Sequence, residues 1–283
     1  MKILNGAELR DFIKERQAKQ VRALRQSWRV VPKLVIFYAS ESPVTGTYMR
    51  LKENYGADIL IEVERRKVEL SKMQEAIRKA NFEKDVHGII VQLPLENEQN
   101  QRISVAETEE ILAEIAPEKD VDGLNAGDYD SATAQAINWL LAGYNVELKG
   151  KQIAIVGQGK LVGAPLAKMW ENSGFQVAKF DETNAEEMQK TLSSFDIVIT
   201  AVGKPGLIDS RMLKPKAVVV DAGTASEKGE IRGDVAEEVR LTRDDLTITP
   251  KKGGVGPLTV AALFDNVIQA ARKIANQKGQ QDL

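Results

Sequence analysis

The sequence predicts an α/β protein of two domains, a βαβ half followed by a doubly wound half. Three observations predict it. Short apolar runs alternate with helix-periodic segments along nearly the whole chain, the pattern of parallel strands joined by helical crossovers. In mid-chain, Gln152–Pro165 reads Gln-Ile-Ala-Ile-Val-Gly-Gln-Gly-Lys-Leu-Val-Gly-Ala-Pro, a strand that breaks at Gly157 and passes through Gly159 and Gly163 into a helix. The 283 residues are enough for two modest cores.

In the first half, Leu9, Phe12, Ile13, Val21 and Leu24 fall at helical spacing behind Asn5, a residue type that caps helix N-termini. Leu34–Tyr38 has the length and apolarity of a buried strand, Pro43–Tyr55 reads as loop then helix, and Ile59–Val63 alternates as a second strand. Leu70, Met73 and Ile77 mark one face of a further helix, and Gly88–Gln92 is a third strand. The polar stretch Asn97–Arg102 reads as surface loop. Ile111, Leu112 and Ile115 support a helix that Pro117 stops.

After Asp122 the alternation restarts. Ala132–Leu141 reads as a helix, and strands follow at Ile153–Val156, Gln176–Phe180, Ile197–Ala201 and Val218–Asp221. Their spacing of about 20 residues is that of successive βα units in a doubly wound sheet. Pro257–Lys273 is apolar on most faces, with Pro257 suited to a first helical turn. Such a helix must be buried, and it is expected to pack back on the N-terminal half. The resulting partition is 1–122 plus 257–283 for one domain and 123–256 for the other.

Composition narrows the chemistry. Lys and Arg total 39 against 41 Asp and Glu, a net charge of −2, which favours neither nucleic acid nor an anionic membrane as partner. No apolar run approaches the ~18 residues of a membrane span, and the N-terminus lacks a signal-peptide core, so a cytoplasmic protein is expected. Absence of cysteine excludes disulfides and thiolate metal sites, and a single histidine, His87, excludes a histidine metal cluster. No metal site is expected. Acid–base chemistry is left mainly to lysine, carboxylates and tyrosine.

The glycine turn has a physical division of labour. Gly157 allows the turn, Gly159 lets backbone approach a pyrophosphate, and Gly163 lets helix and strand pack closely. The helix N-terminus then offers N–H groups and the positive end of its dipole to an anion. A plain strand–helix turn would carry the same glycines, one of which is a residue later than in the commonest fingerprint. Tyr48 and Lys52 lie four apart and share a helix face, combining a ring that can stack with an amine whose pKa burial would lower. Spacing alone fits an ordinary surface pair at least as well. Gln92 ends an apolar strand, where a parallel sheet presents residues to a ligand crevice, or where a turn simply begins. Asp120 and Asp122 before Gly123 form either a solvated turn or a carboxylate presented to a ligand.

Taken together, six separated motifs resemble the methylenetetrahydrofolate dehydrogenase/methenyltetrahydrofolate cyclohydrolase family from about Leu34 to Ala271. They are Tyr48-x-x-x-Lys52, Gly88-Ile-Ile-Val-Gln-Leu-Pro-Leu95, Lys119-Asp-Val-Asp-Gly123, Gly157–Pro165, Ala201-Val-Gly-Lys-Pro-Gly206 and Gly253-Gly-Val-Gly-Pro-Leu-Thr259. The resemblance implies a folate held between a catalytic domain and a Rossmann-like NAD(P) domain, hydride transfer to the nicotinamide, then hydration of the methenyl cation. It implies Lys52 as proton-transfer group, Gln92 as its tuning partner, Tyr48 stacking on the folate and Asp122 bonding its pterin end. Gly253, Gly254, Pro257 and Thr259 would lie beside the folate. Gly157, Gln158, Gly159, Gly163, Asp181, Glu182, Val202, Gly203 and Thr133 would hold the dinucleotide. A homodimer is implied as well. A neutral lysine suits a cationic substrate, and hydride transfer needs alignment rather than an acid or base.

The chain departs from the family pattern in several places. Gln158 stands where an arginine associated with a 2′-phosphate is usual, and Phe180-Asp181-Glu182 replaces a common Cys-His-Ser. Asp181 lies about 24 residues beyond Gly157, near the ~20-residue distance at which an acid meets the ribose of NAD. NAD is therefore expected over NADP, although Lys160 or Lys179 offers a phosphate partner. Ser131-Ala-Thr-Ala134 keeps only Thr133 of a typical Pro-Cys-Thr-Pro, and Lys251-Lys252 replaces a common Val-Pro. Competing readings are another nicotinamide oxidoreductase, a dehydrogenase without the hydration step, and a non-catalytic dinucleotide sensor.

Overall fold

The computed structural model describes residues 1–281 apart from Glu98, Asn100, Ala126, Lys228 and Gly229. The chain divides into two compact units, Met1–Asp11 with Thr133–Thr259, and Phe12–Ala132 with Val260–Leu283. The two-domain α/β expectation holds. Residues 1–11, however, were expected in the folate half. They belong to the other unit because strand β1 (Lys2–Ile3) pairs in parallel with β11 (Thr247–Ile248) and so extends the larger sheet. Residues 123–132 and 257–259 likewise fall in the unit opposite to the one expected.

The unit built on Phe12–Ala132 carries three parallel strands, β2 (Lys33–Tyr38), β3 (Glu62–Lys67) and β4 (Gly88–Val91), in the order β3-β2-β4. Helices α2 (Pro43–Asp58), α3 (Leu70–Asn81) and α4 (Val105–Leu112) connect or follow them. Val35, Phe37, Ile89 and Val91 on one face meet Met73 and Ile77 of α3, while Leu34, Ile36 and Ile90 are equally buried on the other. A sheet covered on both faces needs apolar residues at consecutive positions, which is how β2 and β4 read. Helix α2 begins at a capping box in which the Ser42 side chain accepts from Thr45 N–H.

Two expectations fail here. The strand expected at Ile59–Val63 begins three residues later. Helix α2 runs to Asp58, Leu60 takes φ 64°, and Ile61 N–H returns to Gly56 O, so Ile59 and Ile61 fill the core from a helix end. The strand itself, Glu-Val-Glu-Arg-Arg-Lys, is charged because it is an edge, paired only with β2. Phe12 is 74% exposed, since the buried stripe of α1 (Gly6–Ser27) runs narrowly through Gln17, Ala18, Val21 and Leu24. The loop expected at Asn97–Arg102 includes Glu98 and Asn100, which lie outside the described residues.

The last helix, α9 (Val255–Gln281), packs within this unit from Val260 onward, as its apolarity predicted. Phe264 stacks on Tyr55 with ring centroids 5.2 Å apart, and Gln17, fully buried, donates to Ala261 O at 2.8 Å and accepts from the Tyr55 hydroxyl at 2.8 Å.

The other unit is a six-stranded parallel sheet. Beside β1 and β11 it holds β5 (Ile153–Val156), β6 (Val177–Phe180), β7 (Ile197–Thr200) and β8 (Val218–Asp221), ordered β1-β11-β8-β7-β5-β6. A separate antiparallel hairpin joins β9 (Ala225–Glu227) and β10 (Glu230–Arg232). Helices α5 (Ala132–Gly143), α6 (Gly163–Asn172), α7 (Ala185–Thr191) and α8 (Glu237–Thr242) complete it. Chain order reverses between β5 and β7, the switch point at which ligands enter doubly wound sheets. Asn5 caps α1, accepting from Ala7 N–H at 3.1 Å.

Candidate active site

In the three-stranded sheet the chain order reverses between β2 and β4. Gln92, the residue after β4, sits at that point, its N–H donating to Phe37 O at 2.8 Å. Its side chain is fixed at both ends: Nε2 donates to Leu93 O at 2.8 Å, and Oε1 accepts from Lys52 Nζ at 2.8 Å. The amide can therefore point only its oxygen at the lysine. Lys52 reaches it from α2, with Tyr48 one turn earlier on the same helix. The next peptide, Leu93–Pro94, is cis.

All four expected catalytic residues lie in this one unit and remain half-buried. Protein atoms crowd Lys52 closely enough that desolvation pushes its amine below the ordinary 10.5, while the Asp122 carboxylate pulls it partly back. Burial raises the Asp122 carboxyl, restrained by Lys52, and raises the Tyr48 phenol. An amine held by a neutral amide, beside a carboxyl group, can exchange protons far more readily than a solvated lysine.

The segment Lys119–Gly123 separates into structural and presented residues. Lys119 is buried, donating to Ala80 O at 3.0 Å and Glu83 O at 2.7 Å, so it caps the carbonyl end of α3. Asp120 is buried too and accepts from Asn125 N–H at 2.8 Å; desolvation pushes its carboxyl up to about 6. Gly123 takes φ 68°, and a Cβ there would lie 2.5 Å from Asp130 backbone. Only Asp122 of this run faces Lys52 electrostatically.

In the large-sheet unit the glycine turn follows β5. Gly157 takes φ 95°, donates to Phe180 O at 2.8 Å, and has room for no Cβ, which would stand 2.6 Å from Ala201 O. A Cβ at Gly163 would stand 1.7 Å from Gly157 O, whereas one at Gly159 meets nothing within 4 Å. Two glycines are thus required by the protein itself, and the third leaves open space at the helix N-terminus, as a phosphate cradle does. Gln158 turns its Nε2 back to Ile155 O at 3.0 Å. Val202 and Gly203 begin the loop after β7, against which Gly157 packs. Asp181 follows β6, and its Oδ1 accepts from Thr183 N–H at 2.8 Å and Thr183 Oγ1 at 2.6 Å. Those bonds hold the exposed carboxyl below its ordinary value. Glu182 is exposed in the same short turn, and Thr133 lies half-buried in the first turn of α5.

Gly253 takes φ 84°, and its carbonyl accepts from Ala7 N–H at 3.1 Å. Gly6 approaches so closely that a Cβ would stand 1.9 Å from Gly254 O. Pro257 occupies the first turn of α9 and Thr259 Oγ1 donates to Val255 O at 3.3 Å. This loop belongs to the large-sheet unit.

Models of two protein domains match the chain: tetrahydrofolate dehydrogenase/cyclohydrolase, catalytic domain, over residues 4–122, and the NAD(P)-binding domain of the same enzymes over residues 131–275. The chain belongs to the tetrahydrofolate dehydrogenase/cyclohydrolase family. A curated relative, the bifunctional protein FolD of Amoebophilus asiaticus, is 34% identical over 294 residues, covering 95% of this chain and 96% of that protein. The bifunctional FolD enzyme of Campylobacter jejuni superposes with a TM-score of 0.87 at 28% identity, over 96% of this chain and 99% of that one. The Trypanosoma brucei methylenetetrahydrofolate dehydrogenase-cyclohydrolase, solved with NADP cofactor and an inhibitor, gives 0.85 at 26% identity, over 96% and 97%.

Sequence reasoning missed the residues that hold the site's loops. Asn266 of α9 donates to Val121 O and Asp130 O. Asp221, Asp234 and Arg240 form a buried cluster under the Val202 loop. Their one sequence signal is the glycine beside each carboxylate: Cβ atoms at Gly223 and Gly233 would stand 2.2 Å from Asp234 and 2.1 Å from Asp221.

Proposed function

We propose that the chain oxidises 5,10-methylenetetrahydrofolate with a nicotinamide dinucleotide and hydrolyses the 5,10-methenyl product to 10-formyltetrahydrofolate, with Lys52 moving the proton in the second step. Both reactions are those of the family to which the chain belongs. The observation that carries the residue assignment is the 2.8 Å bond from Lys52 Nζ to Gln92 Oε1 in a desolvated setting. Gln92 holds the amine without giving it a counter-charge, so the lysine can be neutral. It then accepts a proton from the water that attacks the methenyl carbon and returns one to the ring nitrogen as the bridge opens. On the family resemblance, Asp122 bonds the pterin end and Tyr48 stacks on the folate.

The bound dinucleotide supplies the hydride acceptor. The residues after β5 fit such a group, because Gly157 and Gly163 close the turn while Gly159 leaves room for a phosphate. Gln158, Val202, Gly203 and Thr133 line the same end of the sheet in this reading. Asp181, ionised at neutral pH and anchored by its own turn, favours a ribose hydroxyl over a 2′-phosphate, so NAD is the preferred nucleotide. Assembly as a homodimer in the cytoplasm belongs to the same proposal, on the family resemblance alone.

One assay tests the reading. Purified protein is given methylenetetrahydrofolate with NAD or NADP, and reduced nicotinamide is followed together with rise and decay of the methenyl compound. Faster reduction of NAD and enzyme-dependent methenyl decay are expected. Absence of turnover in folded protein that binds a nucleotide would replace catalysis by nucleotide sensing.

A further inference from the structure

We infer that Asp234 is a positioning residue for the nucleotide, its carboxylate setting the shape of the Ala201–Gly206 loop. The inference rests on the reading of Val202 and Gly203 as nucleotide contacts. Three donors from one short stretch converge on this single side chain. The Thr200 hydroxyl and Val202 N–H each reach Oδ2 at 2.7 Å, and Lys204 N–H reaches Oδ1 at 2.7 Å. Alternate residues can meet one carboxylate only if the backbone curls round it, and Gly203, at φ 77°, supplies the bend.

The carboxylate is itself immobilised. Asp234 is 0% exposed; its N–H donates to Asp221 Oδ1 at 2.9 Å and its carbonyl accepts from Ile208 N–H at 3.1 Å. Asp221 in turn accepts from Val235 N–H and from the Arg240 guanidinium, each at 3.1 Å. Gly223 leaves space for nothing larger than hydrogen against the Asp234 carboxyl. The loop is therefore templated by a fixed carboxyl group at the end of β7 and β8, while Val202 itself stays 45% exposed. A loop built in this way enters complex formation already shaped, which lowers the ordering cost of binding.

Hydration of methenyltetrahydrofolate consumes no nucleotide and provides an internal control. In Asp234→Asn, whichever way the amide turns, its NH2 group opposes a donor of the loop. The expected result is a nucleotide KM raised about tenfold, with hydration within about twofold of the parent. Thr200→Val removes one of the three bonds with little change of shape, and a rise of about threefold is expected. Parallel loss of both activities in Asp234→Asn, or an unchanged nucleotide KM in a folded Thr200→Val, would overturn the inference. Val202→Trp tests the underlying reading separately. An unchanged nucleotide KM there removes the loop from the nucleotide site, whereas a raised one beside a silent Asp234→Asn removes only the positioning role.

Discussion

Asn266 donates to the carbonyl of Val121 at 2.9 Å and to that of Asp130 at 3.1 Å, clasping both ends of the loop that starts with Asp122. Asn266 is 1% exposed and Val121 is 0% exposed, so the Val121 carbonyl has no water as a ready substitute, whereas Asp130 lies at the surface. Asn266→Leu keeps the volume and removes both donors. Stability should fall by about 2 kcal/mol, the order of cost of leaving the buried Val121 carbonyl unpaired. Hydration should fall with it, while nucleotide KM holds. Denaturant unfolding beside the two activity assays checks this; a folded variant with undiminished hydration would mean that Asp122 needs no such anchor.

The Lys52–Gln92 pair makes a prediction in pH. If the neutral amine is the base, hydration rises with pH as Lys52 loses its proton, along a limb centred below the ordinary lysine value of 10.5. Gln92→Glu sets a carboxylate where an amide oxygen now accepts. An opposite charge raises a lysine pKa, so the limb should move to higher pH and the rate near pH 7 should drop. Lys52→Met should abolish hydration with nucleotide binding intact. Hydration surviving in Lys52→Met would assign the proton to another group.

Sequence and structure agree best where one cause acts. Buried parallel strands such as Leu34–Tyr38 and Ile153–Val156 must be apolar throughout, and their runs were legible. The charged strand Glu62–Lys67 was not, because an edge is selected against self-association and its composition hides its conformation. At the site, Lys52, Gln92 and the glycine turn were visible as motifs, since their chemistry restricts residue type. Asn266 and Asp234 act over long sequence separations through single hydrogen-bond clusters. Nothing in their neighbours' periodicity announces a partner about 145 residues away, as for Asn266 and Val121.

Asp181 serves its own turn as well as any nucleotide, and the test must separate the two. Serine can still accept from Thr183 N–H as a cap while removing the charge. Asp181→Ser is therefore expected to fold normally and to raise kcat/KM for NADP relative to NAD by about tenfold or more. Steady-state rates with both nucleotides decide it. An unchanged ratio would move nucleotide discrimination to other residues.

The glycine turn separates folding from binding at positions four residues apart. Gly159 has no positive φ and open space where a methyl would go, so Gly159→Ala should leave the melting temperature within about a degree. The same methyl would fill the space assigned to phosphate and raise nucleotide KM by about tenfold or more. Gly163→Ala meets the opposite condition: its methyl would stand 1.7 Å from the Gly157 carbonyl oxygen, so β5 and α6 must part. That variant should lose stability before any nucleotide is added, with hydration reduced only as far as the folded fraction falls. Thermal melts without nucleotide, followed by nucleotide titration of Gly159→Ala, give the comparison. Equal nucleotide affinity in Gly159→Ala and the parent would place the pyrophosphate elsewhere along the β5–β7 switch point.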